Sequence, residues 1–194
     1  MTTACSVVGE RGPRPGPGAV PQQWPSDRSF HEELGRWRVA WIKTRHEKTF
    51  ADELRDLGFP YYLPMMERTH RRPDNGRPRK AWVPLFPSYV AFAGSGPITP
   101  LYQTGRLHRI LPVPDQERFV ADLEAVRRVL ASRRPVAVHP GLRPGVVVRI
   151  VRGAFQGLTG PIERHDGGWR FWVNVEMFNR SLSVQLPAEA LQGP

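Results

Sequence analysis

The positions of the prolines set the strongest limit on how this chain can fold. Of its 194 residues, 21 are proline and 18 are glycine, and both are unevenly spread. Proline cannot donate a backbone hydrogen bond, so helices and central strands must fall between the proline-rich stretches. Two such stretches are residues 1–34 and 134–144. Regular structure is therefore expected in two separate segments, residues 35–133 and 145–194.

The two proline-rich stretches are interpreted differently. Residues 1–34 contain few apolar side chains, and these follow no helical or strand period. Such a segment cannot offset the entropy lost on ordering, so we predict a disordered tail. Residues 134–144 are short and lie between two patterned segments, so they are predicted to be a linker.

The segment 35–133 alternates between strand and helix patterns. Trp37, Val39 and Trp41 recur at every second position, which is typical of a strand. Thr44 stands three residues before Glu47, the spacing of a capping box, and predicts the start of an amphipathic helix. After it we expect a strand at residues 59–68, a polar loop at 69–80 and two short strands within 81–93. A short helix is expected at 100–104, a strand at 107–111 and a helix capped by Asp115 after that.

The segment 145–194 has a different pattern. Short runs rich in β-branched residues are separated by glycine or polar turns. Several short strands in about 50 residues are typical of a small SH3-like barrel. The runs are residues 146–151, 158–162, 169–175 and 182–186.

The charge of the chain predicts a polyanionic partner. The formal net charge is +10, and residues 36–140 carry 19 basic and 10 acidic side chains. Nearly all of the positive excess therefore lies in that part, which is expected to contact the polyanion.

Other kinds of site are not indicated. The single cysteine, Cys5, offers neither a disulfide framework nor a thiolate metal site, as expected for the cytoplasm. No apolar run is long enough to cross a membrane. The histidines are dispersed, and no acidic pair accompanies a phosphate-binding loop, so we expect no enzyme activity, cofactor or metal.

Two motifs carry a resemblance to a known family. Residues 144–162 resemble a KOW motif, with an alternating strand followed by Gly153, Gly157 and Gly160. Residues 37–41, together with Leu85-Phe86-Pro87-Ser88-Tyr89-Val90, resemble the NGN domain of NusG proteins. The resemblance implies an α+β protein: an N-terminal NGN α/β sandwich, with helices on an antiparallel sheet, joined by the linker to a small SH3-like KOW β-barrel.

The resemblance also implies a function. NusG-like factors bind the clamp helices of the largest RNA polymerase subunit through the NGN domain and contact DNA of the elongation complex. KOW recruits a small-subunit ribosomal protein or Rho. A monomeric antitermination factor of the RfaH type is the first hypothesis. The alternatives are a housekeeping NusG that couples to Rho-dependent termination, and a ribosome-associated RNA-binding KOW protein.

Three groups of residues match the family's binding sites. The polymerase-binding candidates are Trp41, Phe86, Pro87 and Tyr89, although aromatics in such a strand could also be ordinary core. The nucleic-acid-binding candidates could equally form a solvated basic face; they are Lys43, Arg45, Lys48, Arg71, Arg72, Arg77, Arg79 and Lys80. The KOW partner-binding candidates are Phe178, expected to be exposed in a loop unless it plugs the barrel, and Arg180.

The second segment is expected to be permanently β. Glycines oppose a helix by about 1 kcal/mol each and proline by about 3 kcal/mol, and residues 145–163 alternate in the strand pattern. We therefore expect no helical hairpin that masks the polymerase site, and an open site in the free protein.

Overall fold

The computed structural model describes residues 22–71, 76–165 and 168–186. The strands are β1 (Gln23–Trp24), β2 (Trp37–Ile42), β3 (Tyr61–Tyr62), β4 (Met65–Arg71), β5 (Pro78–Pro84), β6 (Tyr89–Ala93), β7 (Leu107–Pro112), β8 (Val136–Pro140), β9 (Val146–Arg149), β10 (Thr159–His165), β11 (Gly168–Val175) and β12 (Arg180–Leu186). The α-helices are α1 (Glu47–Asp56), α2 (Thr99–Gln103) and α3 (Gln116–Ala131). Short 3-10 helices span Phe30–Glu33 and Glu176–Phe178.

The first sheet has the strand order β1-β3-β6-β2-β7, and all its pairs are antiparallel. Strand β2 is flanked by β6 and β7, and both of its faces are covered. Ala40 and Ile42 pack with residues of α1 and α2, whereas Trp37 and Val39 pack with residues of α3. The strand pattern of residues 37–42 is thus confirmed. An α+β architecture with antiparallel sheets is present.

Helix α3 forms where the sequence predicts it. The carboxylate of Asp115 accepts a hydrogen bond from the backbone N–H of Arg118 at 2.9 Å, as an N-cap should. Phe119, Leu123 and Val126 are buried on one stripe. The short helix α2 also lies within one residue of its predicted position.

Residues 59–84 differ from the prediction. The single strand expected at 59–68 is two strands, β3 and β4, separated at Leu63-Pro64. Much of the polar loop expected at 69–80 belongs to strands β4 and β5, which pair from Met65↔Pro84 to Arg71↔Pro78. We call this two-stranded sheet the hairpin.

The second sheet has the order β8-β12-β11-β10-β9 and is also antiparallel. The four strands predicted after residue 145 are present, and the described part of residues 145–186 contains no α-helix. Among the described residues, β8 and β9 are edge strands that do not pair with each other, so closure into a barrel stays a prediction. Strand β8 lies within the predicted linker and pairs with β12 from Val136↔Val184 to Pro140↔Arg180.

The chain is ordered before Trp37. Within the segment predicted as a disordered tail, residues 22–34 include β1 and a 3-10 helix capped by Ser29. Phe30 is buried, and its ring contacts those of Trp37 and Tyr62 at centroid distances of 5.7 and 4.8 Å. An aromatic anchor therefore ties this segment to the core. Residues 1–21 and 187–194 lie outside the described residues.

Both sheets share one hydrophobic core. Buried residues of α3 belong to the same cluster as Val39 and Ala91 of the first sheet and Phe171 and Val173 of the second. Helix α3 is therefore packed between the two sheets.

Gly160 of β10 allows the close approach of β11. A Cβ atom at this position would lie 2.3 Å from the Trp172 carbonyl oxygen and 2.9 Å from the Phe171 ring. Backbone cannot yield to such a contact as a flexible side chain can, so only glycine fits without movement of the strand.

We expect Gly160→Ala to destabilise the protein by about 1–3 kcal/mol, the usual effect of overpacking. Gly168→Ala is the matched control, because its Cβ would meet only the Leu186 carbonyl oxygen, at 3.5 Å. Urea unfolding of both variants measures the difference. Equal stability of the two variants would contradict the close-packing argument.

Candidate protein- and nucleic-acid-binding surfaces

The four predicted polymerase-binding residues lie together at one end of β2 and β6. Trp41 and Tyr89 are directly opposite each other in the strand register. Phe86 and Pro87 belong to the loop that precedes Tyr89. Trp41 is 44% exposed, Pro87 is exposed and Tyr89 is half-buried, whereas Phe86 is only 2% exposed. We call these four residues the aromatic surface.

The loop of the aromatic surface is held by the start of α1. Ser88 has a positive φ of 70°, and its backbone N–H donates to the carboxylate of Glu47 at 2.8 Å. Its hydroxyl lies 2.8 Å from that of Thr44, and its carbonyl accepts from the Ile42 N–H at 2.9 Å. Three anchors therefore fix the direction of the flanking aromatic side chains.

The capping box predicted from Thr44 and Glu47 is wrong. The helix begins after His46, which makes no side-chain capping hydrogen bond. Both predicted members of the box contact Ser88 instead. The spacing is correct for a cap, but the loop that precedes β6 competes successfully for both side chains.

The aromatic surface is partly covered by Phe178, which lies between β11 and β12 in the second sheet and its connections (residues 136–186), here called the second unit. The Phe178 ring centroid lies 4.5 Å from that of Phe86, 5.5 Å from that of Tyr89 and 6.0 Å from that of Phe119 on α3. Phe178 is only 4% exposed. Two surfaces predicted to bind different partners are thus in contact with each other.

This contact corrects two predictions. Phe178 is not exposed, and it does not simply plug its own sheet, because its ring packs on the first sheet and α3. The aromatic surface is not fully open either, although the covering element is a β-rich unit and contains no helical hairpin among the described residues. Arg180, predicted to lie beside Phe178 in partner binding, is two residues away, and its guanidinium donates to the Asn179 carbonyl at 3.1 Å.

Polar groups surround the Phe178 contact. The Arg118 guanidinium on α3 lies 2.9 Å from the carboxylate of Glu176, two residues before Phe178. It also lies 3.6 Å from the carboxylate of Asp122. Burial raises the pKa of Asp122 to about 7, against the opposing effects of Arg118 and of a hydrogen bond from the Glu176 backbone. A carboxyl group that titrates near neutrality thus lies where the two units meet.

The predicted cations near α1 are accessible. Lys43 and Arg45 are exposed, and Lys48 is half-buried. Arg45 has a positive φ of 70° in the turn that leads to the helix. Lys43 and Arg45 follow Trp41 by two and four residues, after the end of β2 that carries the aromatic surface.

The remaining predicted cations lie on the hairpin. Arg71, Arg77, Arg79 and Lys80 are exposed, and Arg72 lies outside the described residues. The Lys80 ammonium is 2.7 Å from the Glu67 carboxylate, so it is partly neutralised. Arg68 is a further exposed cation of the hairpin that the list of candidates omits. The hairpin therefore presents a positive surface. In its described part, Glu67 is the single acidic residue.

Several residues of these surfaces escape sequence reasoning. Glu47 and Phe119 have ordinary positions in a helix, and nothing local reveals their long-range contacts. Trp82 carries a signal that could have been used, since a tryptophan among arginines is unusual, and it is 56% exposed on β5. Within the described ranges, no three metal-binding side chains cluster, and no helix is long and apolar enough to span a membrane.

The comparisons with known proteins agree with the geometry. A family model described as "Transcription termination factor nusG" matches residues 35–140, which is more than half of the chain. The matched range contains the first sheet apart from β1, together with the hairpin, α3 and β8. No curated protein matches the chain at a significant level.

Titration of Asp122 should make stability depend on pH. Its pKa is raised from 3.8 to about 7 by folding, so the folded state holds the proton more tightly than the unfolded state. The contribution is fully present below pH 4 and is lost as the pH rises through about 7. We expect Asp122→Asn to remove this fall in the free energy of unfolding, measured by urea titration across that range. Glu117→Gln, an exposed change on the same helix, should keep the fall; a wild-type slope in Asp122→Asn would contradict the assignment.

Proposed function

Since this chain belongs to the NusG family of transcription factors, we propose that it is an elongation factor that binds the RNA polymerase clamp helices through its aromatic surface. The observation that carries the proposal is that this surface already holds an aromatic ring, that of Phe178. A surface that accepts one protruding apolar side chain has the shape and chemistry to accept those of a partner helix.

The exposed part of the aromatic surface supports this assignment. Trp41 is accessible while its neighbours Phe86 and Tyr89 are covered, so it offers a first point of contact. Its ring lies 5.1 Å from that of His108 on β7, which limits its freedom before a partner arrives. Large aromatic side chains that are already ordered lose little entropy on binding and are common hot spots.

The Phe178 contact makes the proposed polymerase site conditional. A clamp helix and Phe178 would need the same face of Phe86 and Tyr89, so binding requires the second unit to move away. The same movement exposes Phe178 and Arg180, which we propose as the site for a small-subunit ribosomal protein or Rho. In the open state the second unit acts as a KOW domain, with its sheet closed into a barrel.

The cations on the hairpin and near α1 are proposed to contact DNA of the elongation complex. Arginines and lysines on an extended hairpin can follow a phosphate backbone without reading bases. The guanidinium groups of Arg71 and Arg79 form no ion pair among the described residues, so they are available to phosphate.

A covered polymerase site favours a specialised antitermination factor over a housekeeping one. A factor that is closed when free engages polymerase only where something releases the second unit, which restricts it to selected operons. We propose that it works in this way as a cytoplasmic monomer. Genomic occupancy confined to a few operons would support this role, and occupancy of all transcribed genes would contradict it.

Polymerase binding can be tested without replacing the fully buried Phe86. We expect Trp41→Ala combined with Tyr89→Ala to weaken binding to RNA polymerase by about 2–4 kcal/mol, as loss of hot-spot aromatics does. Phe178→Ala should act in the opposite direction and tighten binding by about 1.4 kcal/mol, or roughly tenfold, because it removes the competing ring. Titration of labelled protein with core polymerase measures both effects.

Two further variants serve as controls for the polymerase titration. Trp82→Ala removes an exposed tryptophan elsewhere and should bind polymerase core enzyme normally in the absence of nucleic acid. Glu176→Gln loosens the closed contact at Arg118 without touching the ring, so it should tighten binding in the same direction as Phe178→Ala but by less, because the ion pair is exposed. Unchanged affinity of the Trp41 and Tyr89 double variant would refute the proposed site.

Salt dependence tests the hairpin. Replacing Arg71 and Arg79 with glutamine should weaken binding to elongation complexes and lower the slope of log K against log salt by about two, one for each lost phosphate contact. Arg149→Gln combined with Arg152→Gln, two exposed changes in the second unit, is the charge-matched control. A hairpin variant with the slope of this control would show that the arginines are only solvated.

A further inference from the structure

The second sheet carries a basic cluster on the face that points away from α3. Along β11, Phe171, Val173 and Val175 are buried in the core shared with α3. The alternate residues Arg170 and Trp172 therefore lie on the opposite face. The closed contact at Phe178 does not cover this face, so it is available in the described state.

Three basic side chains surround the indole of Trp172. The guanidinium carbons of Arg143 and Arg170 lie 5.1 and 5.9 Å from the ring centroid, and the His139 ring lies 4.9 Å from it. Trp172 itself is only 3% exposed, so it serves as a support that its basic neighbours cover. We call these four residues the arginine–tryptophan patch.

The patch is held in position by the backbone around it. The Asn174 side chain accepts from the Arg143 N–H at 3.0 Å and donates to the Arg143 carbonyl at 2.9 Å. The Ser181 hydroxyl donates to the Gly141 carbonyl at 3.0 Å. These bonds fix the turn that places Arg143 over the indole, so the patch needs little rearrangement before it binds a ligand.

The two arginines of the patch have no acidic partner among the described residues. Among the described residues, neither the Arg143 nor the Arg170 guanidinium forms an ion pair or a side-chain hydrogen bond. Glu163 is opposite Arg170 in the register of β10 and β11, yet no ion pair joins them. Each guanidinium therefore has its fork of N–H donors available for an oxyanion.

The histidine of the patch reports the same excess of charge. The pKa of His139 is lowered by burial and then by the positive charges of Arg143 and Arg170. Its Nε2 atom lies 3.1 Å from the Ser183 hydroxyl, so the ring is fixed beside the two arginines. An anion bound there would reverse the local field and stabilise the protonated ring.

We propose that the arginine–tryptophan patch binds the phosphodiester backbone of a single nucleic-acid strand. Two forked donors over one indole can contact neighbouring phosphates of that strand. The covered indole cannot stack on a base, so binding is independent of sequence. The sequence pattern placed the polyanion on residues 36–140 alone, whereas this site lies largely beyond them and is separate from the proposed DNA contacts of the hairpin.

The first test uses His139 in the full-length wild-type protein. Its ring resonances, assigned with a His139→Asn variant, are followed by NMR as a function of pH with and without a single-stranded oligonucleotide. We expect the His139 pKa to move upward when the oligonucleotide is added. A pKa that is the same in both titrations at saturating oligonucleotide would overturn the proposal, and would leave the arginines as packing groups for Trp172.

The second test measures affinity as a function of salt. Arg143→Gln combined with Arg170→Gln should lower the slope of log K against log salt by about 1.4, or about 0.7 for each phosphate contact with a single strand. Arg164→Gln, an exposed change on β10, is the single-charge control, and its slope should stay that of the wild type. A double variant with the wild-type slope would contradict the proposal. If the hairpin arginines prove not to contact DNA, the two measurements on the patch, the His139 pKa and the salt slope of the Arg143 and Arg170 variant, still test this proposal.

Oligonucleotides of RNA and of DNA with the same sequence distinguish the sources of phosphate. Equal binding shows that the patch contacts the backbone of either nucleic acid. A preference for RNA that is lost in the double variant identifies the transcript as its ligand. Failure of both oligonucleotides to move the His139 pKa counts against the site altogether.

Discussion

The fold depends on helix α3, because both sheets bury their apolar faces against it. Phe119 packs near Trp37 of the first sheet and near Phe178 of the second unit. Val126 and Val129 extend the same buried stripe. A helix with one narrow stripe would satisfy one sheet, whereas this helix has enough buried positions to serve two. The second sheet therefore completes a core that the first unit would otherwise leave partly exposed.

Polar contacts determine how the shared core is closed. At one end of α3, Arg118 lies between the carboxylates of Asp122 and Glu176. Towards the other end, the Arg128 guanidinium donates to the carbonyl of Gln156 in the turn after β9. An exposed ion pair such as that of Arg118 with Glu176 adds little stability in general. The buried Asp122 carboxyl also accepts a hydrogen bond from the Glu176 backbone, and that bond exists only when the units are packed. The apolar stripe supplies the attraction between the units, and these polar contacts specify the register in which they meet.

Local sequence patterns were enough to predict some helices and strands. Strands that form only through pairing with distant residues could not be predicted in this way. The alternation of Trp37, Val39 and Trp41 and the cap at Asp115 depend only on neighbouring residues, so strand β2 and helix α3 were predictable. Strand β8 was not, because Pro135 and Pro140 suggest a linker and its partner β12 is some forty residues away. The hairpin was hidden in the same way, since polar residues form strands there that pair mainly with each other. Of the binding residues, the family motif supplied Trp41, Phe86 and Tyr89, but no local signal showed that Phe178 covers two of them.

The position of Phe178 has a thermodynamic consequence. The ring packs on Phe86 and Tyr89. Under the proposed function it takes part in a second equilibrium, in which it is available to a partner of the second unit. If only a fraction of molecules is open, the apparent affinity for a ligand of either surface is reduced by that fraction. A ligand that binds Phe178 raises the open fraction and so increases the affinity of the aromatic surface for its partner. By thermodynamic reciprocity, binding of that partner increases the affinity for the Phe178 ligand by the same factor. Two proteins that never touch each other would therefore bind this chain cooperatively, with a single phenylalanine as the coupling element.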